Sequence, residues 1–344
     1  MAVKYEHTLH IDIETRSSAD IASTGSYKYA QDEDFDILLI AYALDDGPVK
    51  VVDLKGNNYD LFAEIFLKDA LQNPAYLKLA YNSAFEWYCF NQYGWETPIE
   101  QWQCTMVHAA YCGYPMGLEA TGKAIGIAQD KQKLMTGKAL IRYFCTPQKE
   151  TKKNGGRKYN DPHHDPEKWE LFKTYCKQDV EAEREIERML TRYPMPESER
   201  LLWQQDVRMN AHGARVDRQM IEGAMYCDAV SNERLADEAK RITGLDNPNS
   251  TTQLLDWLNI KGHALPNLQK ATVAEALSGD LPDDVRRVLE IRQQLGKTSN
   301  KKYQAAADAI CDDDRIRGLM QFYGANRTGR WAGRLVQIQN LPRG

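Results

Sequence analysis

The sequence predicts an α/β domain followed by a mainly helical region. Three observations support this prediction: apolar and polar residues alternate near the start of the chain, a strand–helix–strand pattern follows, and the second half has helical periodicity interrupted by glycines. The 344 residues are enough for two domains of ordinary size.

The first element is a strand with two carboxylates on one face. Leu9, Ile11 and Ile13 alternate with polar residues, which is the period of two expected of a half-buried strand. Asp12 and Glu14 therefore point to the same side, opposite the apolar residues.

Further strands and a helix are predicted next. Apolar runs at 37–44 and 49–54 flank an Asp-Asp-Gly-Pro turn, so we expect three early strands with antiparallel pairing. The amphipathic segment 59–71 predicts a helix, and the apolar segment 76–81 predicts another strand. This order is typical of an α/β domain with a mixed sheet.

A polar loop and a long helix complete the first domain. Residues 146–166 contain few core-forming side chains, and we expect a mobile loop there. Asp165 is suited to cap a helix and Pro166 to open it, which predicts a helix to about residue 190. Prolines follow, and we place a domain boundary near 192–197.

The rest of the chain is predicted to be mainly helical. Helical periodicity with glycine stop signals indicates helices at 197–210, 218–242, 251–258 and 282–310. Beyond residue 312 the pattern changes to alternation and glycine, which favours strands and loops. His163 and His164 lie between aspartates and proline, and we interpret them as part of a loop and helix cap.

Composition excludes several classes of protein. The 42% hydrophobic and 27% charged residues are typical of a folded chain. The longest apolar run, 37–44, is too short to span a membrane, and the N-terminus does not resemble a signal peptide. Seven cysteines without a CxxC spacing argue against a disulfide framework and for a reducing compartment, so we interpret the protein as cytoplasmic. We interpret Cys104, Cys112 and Cys176 as core residues, because the sequence places no base beside them.

Charge is unevenly distributed along the chain. From Arg286 onward there are 12 Lys and Arg against 5 Asp and Glu, which gives a net charge of +7. The whole chain carries a net charge of −5, so the preceding 285 residues carry −12. A basic end suits an anionic polymer, and an acidic part suits cations. An uneven surface charge without function is the alternative.

Four carboxylates fall where they could converge. Asp12 and Glu14 share a strand face, Glu86 follows a strand at the start of a helix, and Asp179 lies four residues after Tyr175 on the long helix. Clustered carboxylates bind hard divalent cations, and two such cations can assist phosphodiester cleavage. Each fragment alone is more often an ordinary solvated face.

Taken in order, these residues resemble a known family. Asp12-Ile13-Glu14-Thr15, Asn82-Ser83-Ala84-Phe85-Glu86 and Tyr175-Cys176-Lys177-Gln178-Asp179 resemble the three motifs of the DEDDy 3′–5′ exonucleases. Thr328-Gly329-Arg330 and Gln339-Asn340-Leu341-Pro342 resemble the segment that precedes the catalytic palm motifs of family-A DNA polymerases. The second exonuclease motif usually ends in Asp, whereas this chain has Glu86 at that position. Phage relatives with the pattern Asn-x-x-Phe-Glu resemble this chain there.

The resemblance implies an architecture. It implies an RNase H-like (DnaQ-like) exonuclease domain at 1–192, a helical thumb-like domain at 193–311 and the start of a polymerase palm at 312–344. The chain would be the N-terminal part of a phage-type family-A DNA polymerase, found in the cytoplasm of a bacterial host. Its activity would be proofreading, the release of 5′-monophosphates from a DNA 3′ end.

The resemblance also implies roles for individual residues. Asp12 would bridge two Mg²⁺ or Mn²⁺ ions, and Glu14 and Asp179 would complete the site of the more tightly bound ion. Glu86 would act from outside the set of direct metal ligands. Tyr175 would orient the attacking water. The expected partners are a single-stranded 3′ end, a primer-template duplex and the remaining palm and fingers part, with no membrane. The residues expected to contact DNA are Thr15, Asn82, Phe85, Lys297, Lys301, Lys302, Arg327, Arg330, Arg334, Gln339 and Asn340.

Two alternatives stay open at this point. The protein could be a free-standing exonuclease or RNase, or a non-catalytic DNA-binding subunit of a split polymerase in which Glu86 marks a decayed site. The chain contains no Asp-x-Ser-x-x-Glu motif and has no room after Gly344 for the palm aspartates. We therefore expect no nucleotide addition by this chain alone. The lysines at 297, 301 and 302 could also be an ordinary solvated helix end.

Overall fold

The computed structural model describes residues 5–56, 59–127, 131–296, 301–325 and 327–340, with the backbone alone for 131–136. The chain forms two compact units, one made of residues up to Val216 together with Ala309–Gln339 and the other centred on Asp217–Asp308. Within the described ranges, no helix is both long enough and apolar enough to cross a membrane.

The first unit is built on a five-stranded mixed sheet with the order β3-β2-β1-β4-β5. Its strands are β1 (His7–Arg16), β2 (Asp36–Leu44), β3 (Lys50–Asp53), β4 (Tyr76–Ala80) and β5 (Trp102–Cys104). The helices of the same unit are α1 (Ile21–Gln31), α2 (Leu61–Gln72), α3 (Ser83–Gln92), α4 (Thr105–Tyr111), α5 (Leu118–Ile125), α6 (Lys131–Phe144), α7 (Pro166–Leu190) and α8 (Glu197–His212).

Strand β1 lies at the centre of the sheet. It pairs antiparallel with β2, and β2 pairs antiparallel with β3, which confirms the predicted pairing of the first three strands. On its other side β1 pairs parallel with β4, and β4 pairs parallel with β5. A central strand is held on both edges, so the side chains that it carries are fixed in position.

The two faces of the sheet bury different cores. Leu9, Ile11 and Ile13 of β1 belong to a core that also contains side chains of α2 and α3. On the other face, α6 and α7 pack on β2 through residues such as Phe144 and Phe172. The even-numbered side chains of β1 therefore face α7, as alternation along the strand requires.

Helix α7 begins and ends where the sequence predicts. The side chain of Asp165 accepts a hydrogen bond from the backbone N–H of Lys168, and Pro166 occupies the first turn. The preceding segment contains two short 3-10 turns, Lys152–Asn154 and Pro162–His164. Nδ1 of His164 accepts a hydrogen bond from the backbone N–H of Asp161 at 2.9 Å, which agrees with the interpretation of these residues as a loop and cap.

The second unit is helical, as predicted. Its core is formed by residues such as Trp257, Leu258 and Leu289. Its helices are α9 (Arg218–Thr243), α10 (Thr251–Ile260), α11 (Lys270–Ser278), α12 (Asp283–Leu295) and α13 (Lys301–Ala309). The helix predicted at 282–310 is thus described as two helices, and residues 297–300 between them lie outside the described ranges.

The C-terminal strands belong to the first unit. They are β7 (Arg315–Ile316), which pairs with β6 (Ala214–Arg215), and the hairpin of β8 (Met320–Ala325) and β9 (Arg330–Gly333). A 3-10 turn at Ile338–Asn340 follows. The strands expected beyond residue 312 are therefore present, whereas the domain boundaries at 192 and 311 stay predictions.

Candidate active site

The face of β1 that looks towards α7 carries the predicted carboxylates. Asp12 and Glu14 lie on this face, and Glu14 is buried in the protein interior. Helix α7 packs on β1 and supplies Asp179, whose charge raises the pKa of both β1 carboxyls. Three of the four predicted acidic residues therefore meet because one strand and one helix are packed face to face.

Glu86 completes the acidic group from a third element. It lies in the first turn of α3, directly after β4, and only 4% of its surface is exposed. Its charge contributes to the raised pKa of Asp12, so the two carboxyls interact electrostatically. The structure thus brings together all four carboxylates that the sequence singled out.

Burial and mutual repulsion make this group costly to ionise. Burial raises the pKa of Asp12 well above its ordinary range, and the charges of Asp179, Glu14 and Glu86 raise it further. Burial likewise raises the pKa of Asp179 to about 6 and that of Glu86 to about 8. A bound cation would relieve this repulsion and stabilise the charged forms.

Among the described residues, one atom of this group is left without a hydrogen-bond partner. Oε2 of Glu86 is buried and accepts no hydrogen bond from the described residues. A buried carboxylate oxygen without a partner is energetically unfavourable, so such an atom points to a missing ligand. An oxygen-rich set with one unsatisfied member fits a hard divalent cation such as Mg²⁺ or Mn²⁺.

Tyr175 lies one helical turn before Asp179. Burial raises the pKa of Tyr175 strongly, and Asp179 raises it further, so the phenol stays neutral at physiological pH and keeps its proton to donate. Its ring lies against Gly137 of α6, where a Cβ atom would lie 2.3 Å from the ring carbon Cε2. The absence of a side chain at Gly137 therefore lets the ring occupy this position.

The residues predicted to contact a DNA 3′ end lie on β1 and at the start of α3, the elements that also carry Glu14 and Glu86. Thr15 is buried, and its Oγ1 lies 3.0 Å from the hydroxyl of Tyr29. Phe85 is half-buried, and its ring centroid lies 6.2 Å from that of Tyr29. Asn82 is exposed at the N-cap of α3, where its side chain makes no capping hydrogen bond. Contact of these residues with DNA stays a prediction.

The basic residues predicted to hold duplex lie in both units. In the first unit, Arg327 and Arg330 are exposed on the β8–β9 hairpin, and Arg334 donates to Gln321. Gln339 and Asn340 are exposed in the C-terminal 3-10 turn. In the second unit, Lys301 and Lys302 open α13, whereas Lys297 lies outside the described residues.

Sequence reasoning missed a second pair of polar residues on the same two elements. Nδ1 of His10 lies 2.6 Å from Oε2 of Glu183, and the hydroxyl of Thr105 donates to the same carboxylate. Glu183 follows Asp179 by four residues and His10 precedes Asp12 by two, so helical and strand spacing could have indicated both. Cys176 is a core residue as expected, but its Sγ also lies 3.9 Å from Oδ2 of Asp12.

Comparisons with known proteins relate the chain to DNA polymerases. No protein-family model matches the chain. It is 48% identical over 336 residues to a DNA polymerase of Bacillus phage SP02, which covers 97% of this chain and 51% of that protein. The chain therefore spans about half the length of this curated relative.

A solved structure supports the fold. The POL domain of Pol1 from M. smegmatis, solved in complex with DNA primer-template and dNTP, superimposes with a TM-score of 0.56 at 15% sequence identity. The match covers 99% of this chain and 53% of that one. At this identity the likeness concerns the fold alone.

Proposed function

This chain is related to phage-type family-A DNA polymerases, and from that relationship we propose that it supplies the metal-dependent 3′–5′ exonuclease used in proofreading. We further propose that the five-stranded sheet and the helices on its two faces form an RNase H-like exonuclease fold. Hydrolysis of the terminal phosphodiester would release a nucleoside 5′-monophosphate.

The observation that carries this proposal is the group of four carboxylates, of which Glu14 and Glu86 are buried and Asp12 and Asp179 are half-buried. Asp12, Glu14, Glu86 and Asp179 come from three separate elements, and their raised pKa values reflect a shared low-dielectric space. Structural carboxylates are normally paired with cations or backbone N–H groups, whereas Oε2 of Glu86 has no partner among the described residues. Perturbed and unsatisfied acidic groups are typical of catalytic sites.

Different residues of the chain would bind the metal ions and orient the attacking water. Asp12, Glu14 and Asp179 would hold the metal ions, with Glu86 close by. When bound, two divalent ions supply charge stabilisation at the attacking and leaving oxygens of the phosphodiester. Tyr175, with its neutral hydroxyl beside Asp179, would orient the attacking water.

Neighbouring residues would position the DNA. Thr15, Asn82 and Phe85 lie on β1 and α3 beside the carboxylates and would hold the frayed 3′ end. The exposed arginines of the β8–β9 hairpin would contact phosphates without reading sequence. The lysines that open α13 would add further contacts to the backbone of the duplex.

A digestion assay tests the proposal. The purified chain is incubated with a 5′-labelled mismatched primer-template and Mg²⁺, with and without nucleotides, and products are resolved at single-nucleotide length. We expect stepwise shortening from the 3′ end, abolished by chelator and by Asp12→Ala, and no primer extension. Binding without digestion would favour the non-catalytic DNA-binding subunit.

Asp161→Ala provides a matched control for Asp12→Ala. Like Asp12, Asp161 is an aspartate of the first unit. It forms an ion pair with Arg16 and lies in the loop before α7. This variant should digest the primer at the wild-type rate. Digestion of single-stranded RNA in preference to DNA would contradict the proofreading role and favour an RNase.

A further inference from the structure

We propose that the thiol of Cys176 is a ligand for thiophilic divalent cations, so that the carboxylate site is a mixed oxygen and sulfur site able to bind Zn²⁺ or Cd²⁺. The inference rests on the proposed function in one respect, because that function makes Asp12 and Glu14 metal ligands. It goes further by adding a ligand of a different chemical class.

The geometry places three donor atoms around one space. One carboxylate oxygen each of Asp12 and Glu14 and the Sγ of Cys176 all lie within 4.8 Å of one another. Zn–S bonds of about 2.3 Å and Zn–O bonds of about 2.1 Å put tetrahedral ligands roughly 3.6 Å apart. Side-chain adjustments of about 1 Å would therefore bring all three atoms onto one ion.

The position of Cys176 on α7 explains why its thiol reaches the site. Cys176 is fully buried, with 0% of its surface exposed, and it follows Tyr175 on the helix face that packs against β1 and β2. The thiol donates towards Oδ2 of Asp12 at 3.9 Å. An incoming soft cation would replace this proton, which would leave to solvent, and Sγ would then coordinate the ion as a thiolate.

A second observation points to a cation in the same space. Oε2 of Glu86 is buried and has no hydrogen-bond partner among the described residues, and the charge of Glu86 acts directly on Asp12. This carboxylate is therefore available as a further oxygen ligand next to the cluster. Together the residues offer up to three oxygens and one sulfur, a donor set that suits Zn²⁺ and Cd²⁺.

The thiol should discriminate between metals. Mg²⁺ prefers oxygen ligands and gains little from sulfur, whereas Cd²⁺ and Zn²⁺ bind thiolate strongly. Soft cations should therefore bind more tightly than a carboxylate-only site would allow, and they should compete with Mg²⁺. If Cys176 serves only to pack α7 against the sheet, removing its sulfur will leave Cd²⁺ affinity unchanged.

A spectroscopic titration tests this inference on the full chain. Cd²⁺ is added to the metal-free protein, and the ultraviolet absorbance of the sulfur-to-cadmium charge transfer is recorded. We expect a saturable band in the wild type, its loss in Cys176→Ala, and a Cd²⁺ dissociation constant at least about tenfold weaker in that variant. Circular dichroism and thermal unfolding check that the variant is folded. If it is not, Cys176→Ser replaces it.

Two other cysteines serve as controls. Cys145 is buried in the same apolar cluster, and Cys227 is exposed on α9. Cys145→Ala and Cys227→Ala should keep the band. A band that survives Cys176→Ala, or that disappears in either control, overturns the inference. Mg²⁺-dependent digestion by the wild type is measured in parallel. A charge-transfer band without digestion would count against the proposed function alone. Digestion without a band would count against this inference alone.

Discussion

Half-buried His10 and buried Glu183 form a hydrogen-bonded pair next to the candidate metal site. Nδ1 of His10 lies 2.6 Å from Oε2 of Glu183, and only 3% of the surface of Glu183 is exposed. His10 precedes Asp12 on β1, and Glu183 follows Asp179 on α7, so the pair joins the two elements that carry three of the four carboxylates. The spacing between strand and helix is thereby held by residues outside the site itself.

We predict that Glu183→Ala strongly destabilises the protein. The substitution leaves the buried Thr105 hydroxyl and the half-buried His10 ring without their partner, and each buried polar group left unsatisfied costs about 1–3 kcal/mol. Urea unfolding measures the effect. Glu181→Ala, an exposed glutamate of the same helix, should change the free energy of unfolding by less than about 0.5 kcal/mol. Equal losses in the two variants would contradict the structural role of the pair.

The metal-free protein should lose stability as the pH rises. Burial raises the pKa of Glu86 from an ordinary value of 4.5 to about 8. Between these values the folded state keeps a proton that the unfolded state has released, so stability is full below pH 4.5 and falls until pH 8. One such proton is worth up to about 1.4 kcal/mol per pH unit.

Glu86→Gln tests this assignment. The amide has the shape of the carboxyl but does not titrate, so the decline in unfolding free energy between pH 5 and 8, read from urea curves in chelator, should become shallower. A variant whose decline is as steep as that of the wild type would show that Glu86 is not responsible. Added Mg²⁺ should stabilise the wild type most at the alkaline end, where the carboxylates are charged.

The sequence was most informative where local chemistry decides the structure. Helix α7 was predicted at both ends because Asp165 caps it and Pro166 opens it. The site on β1 was predicted because strand alternation assigns Asp12 and Glu14 to one face. Glu86 follows β4 directly, at the place where such a site would receive a ligand from a third element.

Other features depend on contacts that no local pattern records. The two-residue strands Ala214–Arg215 and Arg315–Ile316 pair across 100 positions, and two residues are too few for periodicity to be recognised. The hydrogen bond between His10 and Glu183 spans 173 positions. A buried polar residue and an exposed one look the same in sequence, so Glu183 was not distinguished from the solvated glutamates of its helix.

The exposed arginines of the β8–β9 hairpin should contribute to duplex binding through phosphates. We predict that the double variant Arg327→Ala, Arg330→Ala reduces the slope of log K against log salt by about 2, since each phosphate contact contributes roughly one unit. Fluorescence anisotropy at several salt concentrations measures the slope. Arg188→Ala removes an exposed arginine paired with Glu185 on α7 and should leave the slope unchanged. An unaltered slope in the double variant would remove the hairpin from the DNA interface.

The close approach of Gly137 to Tyr175 leads to the last prediction. Gly137→Ala should slow exonuclease digestion by about 10²-fold, as expected when a group that positions a catalytic water is displaced, because the added Cβ would lie 2.3 Å from the tyrosine ring and must push it away. Tyr175→Phe should cause a loss of similar size, since the hydroxyl is removed without moving the ring. Single-turnover digestion at saturating Mg²⁺ measures both rates. Gly223 lies on α9, where an added Cβ would meet no atom of the described residues within 4 Å, so Gly223→Ala should instead stabilise the protein by about 0.5–1 kcal/mol with no change in rate. If Gly137→Ala digests DNA as fast as the wild type while Tyr175→Phe does not, the ring has room to move and the glycine is not required for its position.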